Sequence, residues 1–262
     1  MKQRTSTPTV SPVKIAVLAW TCAFASATLA AETHEAGESH HWSYSGASAP
    51  QNWGTLDPGF RACSTGKNQS PIDMKSSIKG EHKPVDLAYK SGAAEIVNNG
   101  HTIQVDYKPG SSLKIDGHAY ELKQFHFHAP SENTIDGKHF PMEVHLVHQD
   151  KDGHLLVVAV MFNEGAPNPL LASLWKQMPN KEGEKNAVAD ALNAIDLLPA
   201  QREYYRFTGS LTTPPCSEGV TWLVSRQPVT ASKEQVAAFS KAVGFANNRP
   251  VQPLNGRQVV AQ

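Results

Sequence analysis

The segment "FHFHAP", residues 125–130, sets His126 and His128 one residue apart in an aromatic, β-prone run. In an extended chain residues i and i+2 leave the same face, so the two imidazoles stand side by side. Such a pair is either a by-product of a buried strand or half of a metal site. A second segment, "MEVHLVH" at 142–148, supplies a third candidate: His145 shares one face with Glu143 and Val147, while His148 points to the other. Residues 131–141 connect the two segments with Asp136-Gly137 as a turn, and an antiparallel pairing would bring His145 across from His126 and His128. Three neutral imidazoles with an open fourth position are the donor set of a catalytic zinc, because structural zinc is usually closed by four protein ligands and rich in cysteine. Gln124 falls on the His126 face and Glu143 on the His145 face, where each can accept the spare ring N–H of a ligand and fix its tautomer.

The elements that must position these residues are mostly strands. Strand signals cover 95–97, 102–107, 112–115, 118–128, 142–149 and 155–163, separated by Gly, Asn, Asp and Pro turns. Two short helices are also legible. Asn168-Pro169 begins one that Pro179 stops, and Ser232 with Gln235 forms a capping-box pattern ahead of an apolar stripe ending at Gly244. From Trp42 onward there is no repeat and no break in composition, which predicts one domain over 42–262, mainly β with peripheral helices.

Lys plus Arg and Asp plus Glu balance at 24 each, without a basic block, which argues against nucleic acid as a partner. Lys2, Arg4 and Lys14 precede an apolar run over 15–29 that ends in small residues, the pattern of a signal peptide over 1–31 cleaved near Ala30 or Ala31. That run is short for a membrane span, so no stable membrane anchor is expected after leader removal. Residues 32–41 are polar, hold His34, His40 and His41, and read as a flexible tail. Cys22 lies in the leader, leaving Cys63 and Cys216. In an oxidising compartment two lone cysteines commonly pair, although two unrelated buried thiols fit the same count.

Beyond the histidines, "NQSPID" (68–73), "NNGHTIQVDY" (98–107), "QFHFHAPSENTIDGKHFPMEVHLVH" (124–148), "GSLTTPPCSEGVTWLV" (209–224) and "NRPVQPLNGR" (248–257) run in order along the chain. Together they resemble the α-class carbonic anhydrases, in particular an exported bacterial one. The resemblance implies a large, mostly antiparallel twisted central sheet, with Zn²⁺ on His126, His128 and His145. It implies reversible hydration of CO₂ to bicarbonate and a proton by zinc-bound hydroxide, in the periplasm or secreted, with CO₂ and bicarbonate as small-molecule partners and a homodimer as a possible assembly.

Residue by residue, the resemblance makes Val147, Val157, Leu211 and Trp222 an apolar wall for CO₂. Thr212 then accepts the hydrogen bond of the hydroxide and donates its own proton to Glu132, and His101 is the proton shuttle. An imidazole titrates in the right range for that task. A relay is needed because loss of a proton from an acid near pKa 7 directly to water holds turnover to roughly 10³ per second. On pattern alone Trp222 is a core residue, Thr212 a loop residue and His101 a surface histidine beside a turn. Two other readings remain at this level. His126-x-His128 followed by Glu132 matches the core of a cupin metal motif, without its framing glycines, and would make the chain a metal oxygenase with Glu132 as a ligand. A catalytically silent anhydrase-like binding domain is the other, and it usually lacks zinc histidines.

Overall fold

The structure is a computed structural model that describes residues 41–75, 77–81, 83–189 and 191–262. Its thirteen strands are β1 (Ser77–Lys79), β2 (Asp86–Ala88), β3 (Ala93–Asn98), β4 (Ile103–Tyr107), β5 (Ser112–Ile115), β6 (His118–His128), β7 (Met142–Gln149), β8 (Leu155–Glu164), β9 (Lys185–Ala187), β10 (Tyr204–Ser210), β11 (Glu218–Ser225), β12 (Val229–Ala231) and β13 (Val259–Ala261). They form one sheet in the order β1-β13-β10-β11-β8-β7-β6-β4-β3-β9, with β12 on β8 and β2 on β5 beside β6. Most neighbours are antiparallel, and β8 takes β11 and β12 in parallel. The continuous apolar run of β8, Leu155 to Phe162, fits a strand covered on both faces, where neither side can afford polar residues.

The sheet separates two apolar clusters, and the period-2 alternation of β6 and β7 assigns each side chain to one of them. Phe125, Phe127, Val144, Leu146, Val158 and Val160 lie in the larger cluster on the back face. After the short α1 (Trp53–Leu56) and α2 (Ala62–Thr65) come the helices that close it, with Leu170, Leu171 and Leu174 of α3 (Pro169–Trp175) and Phe239 of α4 (Lys233–Val243). On the front lie Val157, Ala159, Met161, Phe207 and Trp222. The residues between the phenylalanines of β6, Gln124, His126 and His128, therefore face front. In the antiparallel register His126 sits opposite His145.

Both helices begin where the capping pattern places them. The Asn168 side chain accepts from the backbone N–H of Leu170 and Leu171, and Ser232 and Gln235 form a reciprocal capping box, with Gly244 closing α4 at φ +85°. Two details differ from the sequence reading. Helix α3 ends at Trp175, ahead of Pro179, and the chain adds strands β1, β2 and β9 to β13 and short helical turns over 46–65 that local patterns did not single out. Cys63 and Cys216 are joined as a disulfide across 153 residues, which resolves the choice between a pair and two free thiols. The proposed leader, 1–31, and tail residues 32–40 lie outside the described residues. Among the described residues no helix is long and apolar enough to cross a membrane.

His148, on the back face of β7, is fully buried, with Nε2 2.5 Å from the Tyr89 hydroxyl and Nδ1 3.3 Å from the Leu156 carbonyl. Nδ1 must donate to that carbonyl, so Nε2 accepts from Tyr89 and the ring is neutral. Burial, the dominant cause, pushes its pKa down from 6.5 to about 4. The unfolded chain then binds this proton more readily than the native one, so stability is whole above pH 6.5 and falls as pH drops towards 4. The loss is on the order of 3 kcal/mol for this site. In urea titrations at pH 7 and pH 4.5, a His148→Gln variant is expected to start less stable and to lose clearly less on acidification than the parent. Equal losses in both would show that His148 does not contribute to the acid response.

Candidate functional site

On the front face the ligand atoms of His126, His128 and His145 lie within 4.8 Å of one another. The protein fixes which nitrogen of each ring is free. His126 Nδ1 is 2.8 Å from Gln124 Oε1 and His128 Nδ1 is 2.7 Å from the Asn247 carbonyl oxygen. Both partners are acceptors, so each Nδ1 carries the proton and each Nε2 presents a lone pair. His145 is reversed: its Nε2 lies 3.0 Å from Glu143 Oε1, which leaves Nδ1 towards the cluster. Burial is the main cause that lowers the pKa of all three rings, the neighbouring histidines adding to it for His126 and His145. Neutral rings are what a metal requires. His128 Nε2 is a buried nitrogen with no hydrogen-bond partner, and such atoms are rare unless a ligand or ion completes them.

Glu143 is the hub that holds the loop after β6. Its Oε2 accepts from the backbone N–H of Glu132 and Asn133 at 2.7 and 2.9 Å, and Oε1 accepts from Asn133 Nδ2 at 2.7 Å. Glu132, fully buried, accepts from the Arg249 backbone N–H at 2.9 Å through Oε1. Its Oε2 stands 3.6 Å from His128 Nε2 and 3.9 Å from His145 Nδ1. Burial pushes the Glu132 carboxyl up to about 8, against the Arg249 N–H and the Thr212 hydroxyl, which both favour the charged form. A divalent cation on the three imidazoles would act in the same sense as those donors.

The expected apolar residues lie beside the imidazoles in register. Val147 of β7 pairs with Val157 of β8, which pairs with Trp222 of β11. The Trp222 ring meets His145 edge-on at 4.9 Å between centroids, and its Nε1 donates to the Ser210 carbonyl. Leu211, just after β10, packs against the same cluster. His101 is on the turn between β3 and β4, where the Asn99 side chain accepts from the backbone N–H of His101 and Thr102. Its ring stacks on Trp42 at 3.7 Å and 11°. Burial, and after it His41, lower its pKa, while Glu182 raises it.

Several contributors carried no local signal. Asn247 accepts from His128 through its backbone, accepts from Ala129 N–H through Oδ1, and donates from Nδ2 to the carbonyls of Phe127 and His101. Arg249, Asn133 and the stacking role of Trp42 were likewise not identified. "NRPVQPLNGR" marks the neighbourhood of Arg249, but nothing in the spacing points from it to Glu132 or His128.

Comparison with known proteins agrees with this geometry. The family model for eukaryotic-type carbonic anhydrase matches residues 48–262. A carbonic anhydrase of Pectobacterium carotovorum is 50% identical over 248 residues, covering 95% of this chain and 98% of that protein. One from Pectobacterium atrosepticum is 52% identical over 86% of this chain and 92% of its own length. The α-carbonic anhydrase of Thermovibrio ammonificans, solved with the inhibitor sulfanilamide, superposes with a TM-score of 0.84 at 50% identity, covering 85% of this chain and all of that one. The cupin alternative falls on these matches, and the silent binding domain gives way to an enzyme whose relatives at about half identity are carbonic anhydrases. Three inward-facing imidazoles on a large, mostly antiparallel sheet, and likeness along nearly the whole described chain, lead to one conclusion: the chain belongs to the α-carbonic anhydrase family, and it is an enzyme of CO₂ and bicarbonate.

Proposed function

We propose that His126, His128 and His145 hold Zn²⁺ and that the chain hydrates CO₂ reversibly to bicarbonate and a proton by a hydroxide mechanism with histidine-mediated proton transfer. The observation that carries this reading is the convergence of three lone pairs on rings whose other nitrogens face Gln124, Asn247 and Glu143. An all-imidazole, thiol-free set of three donors fits catalytic zinc. When bound there, zinc lowers the pKa of a coordinated water to about 7 and so supplies a nucleophile at neutral pH, the carbonic anhydrases being the reference case for that value.

The remaining work belongs to the chain. Thr212 accepts a hydrogen bond from the attacking oxygen and directs its own proton to Glu132, which orients that oxygen and favours a nucleophile that still carries hydrogen. Val147, Val157, Leu211 and Trp222 give apolar CO₂ a dry surface beside His145. His101 takes the released proton out through the half-buried position against Trp42. An exported, periplasmic enzyme is supported by the leader pattern at 1–31 and by the Cys63–Cys216 disulfide, which is typical of oxidising compartments.

Stopped-flow CO₂ hydration by the mature protein is expected to vanish on zinc removal and to return on zinc addition. A zinc-loaded protein without hydration activity would refute the assignment. His101→Ala is expected to lower kcat at least about tenfold in weak buffer, with kcat/KM for CO₂ little changed and with recovery on adding imidazole. Unchanged kcat under those conditions would remove His101 from proton transfer. Gln124→Ala, which takes away the acceptor that fixes the His126 tautomer, is expected to weaken zinc binding by about 10- to 100-fold in chelator competition. Parent-like affinity would show that His126 is oriented without it.

A further inference from the structure

The turn ahead of β9 carries an acidic side chain to the mouth of the proposed proton path. Glu184 N–H bonds to the Lys181 carbonyl, closing a turn over Lys181–Glu184, with Gly183 at φ +79°. Two further backbone bonds lock this turn to the end of β3: Gly183 N–H to the Asn98 carbonyl at 2.8 Å, and Asn98 N–H to the Glu184 carbonyl at 3.0 Å. Glu182 therefore lies directly over Gly100. A Cβ added at Gly100 would stand 2.4 Å from Glu182 Oε1, and Gly100, at φ +82°, has none. The next residue is His101.

Two other segments meet around the His101 ring. Trp42 covers one face as a stack, His41 lies 5.7 Å away between ring centroids, and Glu182 comes from the β9 turn. The other charged groups of that turn, Lys181 and Glu184, face each other at 4.0 Å and largely cancel at a distance. Burial and a second imidazole both disfavour a positive charge on His101. Glu182 is the group with the opposite effect.

We propose that Glu182 is a positioning residue for His101, its carboxylate set against the β3–β4 turn by the locked turn ahead of β9 so that a positive charge on the neighbouring ring is favoured. The role in turnover rests on the reading of His101 as the proton shuttle; the hold on the ring does not. A shuttle must accept a proton from an acid near pKa 7 and surrender it to buffer, and it does both best when its own pKa is close to that value. A half-buried ring beside another histidine would be too weak a base, and a fixed carboxylate offsets this. Because Glu182 is exposed, the effect is that of a surface pair and is screened by salt.

The test is an NMR titration of histidine rings in the zinc-loaded protein, with His101 assigned by its loss in His101→Ala. Glu182→Gln is expected to lower the His101 midpoint by roughly half a pH unit at low ionic strength. The difference should shrink towards zero in about 1 M salt, where the screening length is about 3 Å. Glu182→Asp should restore part of the shift, and His41→Gln should move the midpoint upward. In stopped-flow assays the acid limb of the kcat profile should follow the midpoint while kcat/KM stays put. A His101 midpoint unmoved by Glu182→Gln at low salt overturns the proposal, whatever His101→Ala does to turnover. A moved midpoint with a kinetically silent His101→Ala would leave Glu182 holding the ring and remove only the shuttle reading.

Discussion

Three imidazoles that each turn one nitrogen towards the protein, His126 to Gln124, His128 to the Asn247 carbonyl and His145 to Glu143, present their other nitrogens to one place. Nothing else in the described chain imposes so much on its surroundings. A buried acceptor without a donor costs on the order of 1–3 kcal/mol, and here the unfilled nitrogens are clustered instead of dispersed. A cation resolves them together. The rings are held in place by Gln124, the Asn247 carbonyl and Glu143 together with two apolar clusters, one on each face of the sheet, that flank strands β6 and β7. The alternation Phe-His-Phe-His anchors β6 in the back cluster through Phe125 and Phe127 and thereby fixes where His126 and His128 point.

The groups that fix the tautomers come from three parts of the chain. Gln124 is local, Glu143 lies on the neighbouring strand, and the Asn247 carbonyl arrives from 119 residues beyond His128. Two positions beyond Asn247, Arg249 is buried and still charged at neutral pH, its pKa lowered chiefly by burial to about 10. Its guanidinium donates to Gln69, Ser70 and Cys63, and sits over the Trp53 ring at 5.6 Å. Its backbone N–H holds Glu132. The short N-terminal turns and the disulfide are thus connected through one residue to the carboxylate beside the imidazoles. A buried charge of this kind is tolerated because its guanidinium is bonded to Gln69, Ser70 and Cys63, and losing one partner would leave the charge less satisfied.

This arrangement accounts for what could be read beforehand. Strands β5, β6 and β7 were legible to the residue because β-prone runs there are bounded by turn residues, and the two caps were legible because side-chain capping is local. The pair His126 and His128, the addition of His145, and the roles of Gln124 and Glu143 as acceptors follow from the same period of two. Roles for Thr212, Glu132, the apolar residues beside His145 and His101 could be proposed only through family resemblance, since a threonine in a loop and a histidine beside a turn have no distinctive spacing. Asn247 could not be found in either way from pattern, because it acts on His128 through a main-chain carbonyl that any residue possesses. Trp42 marked only the start of the folded region, and its stack on His101 depends on how residues 41–42 lie across the β3–β4 turn.

The histidines of this chain also show why residue type alone does not name a ligand. His145 and His148 are three residues apart on one strand, both fully buried, both disfavoured as cations. His148 has a donor in the Tyr89 hydroxyl and an acceptor in the Leu156 carbonyl, so both nitrogens are satisfied and the ring has no chemistry left to offer. His145 meets a carboxylate at one nitrogen and other imidazoles across from the second, which is a ligand's position. His101 belongs to neither class, because it meets the protein through the face of its ring against Trp42. Counting how many nitrogens the protein has already used therefore separates a structural imidazole from one free to take a metal, and that count follows from which face of the sheet each histidine occupies.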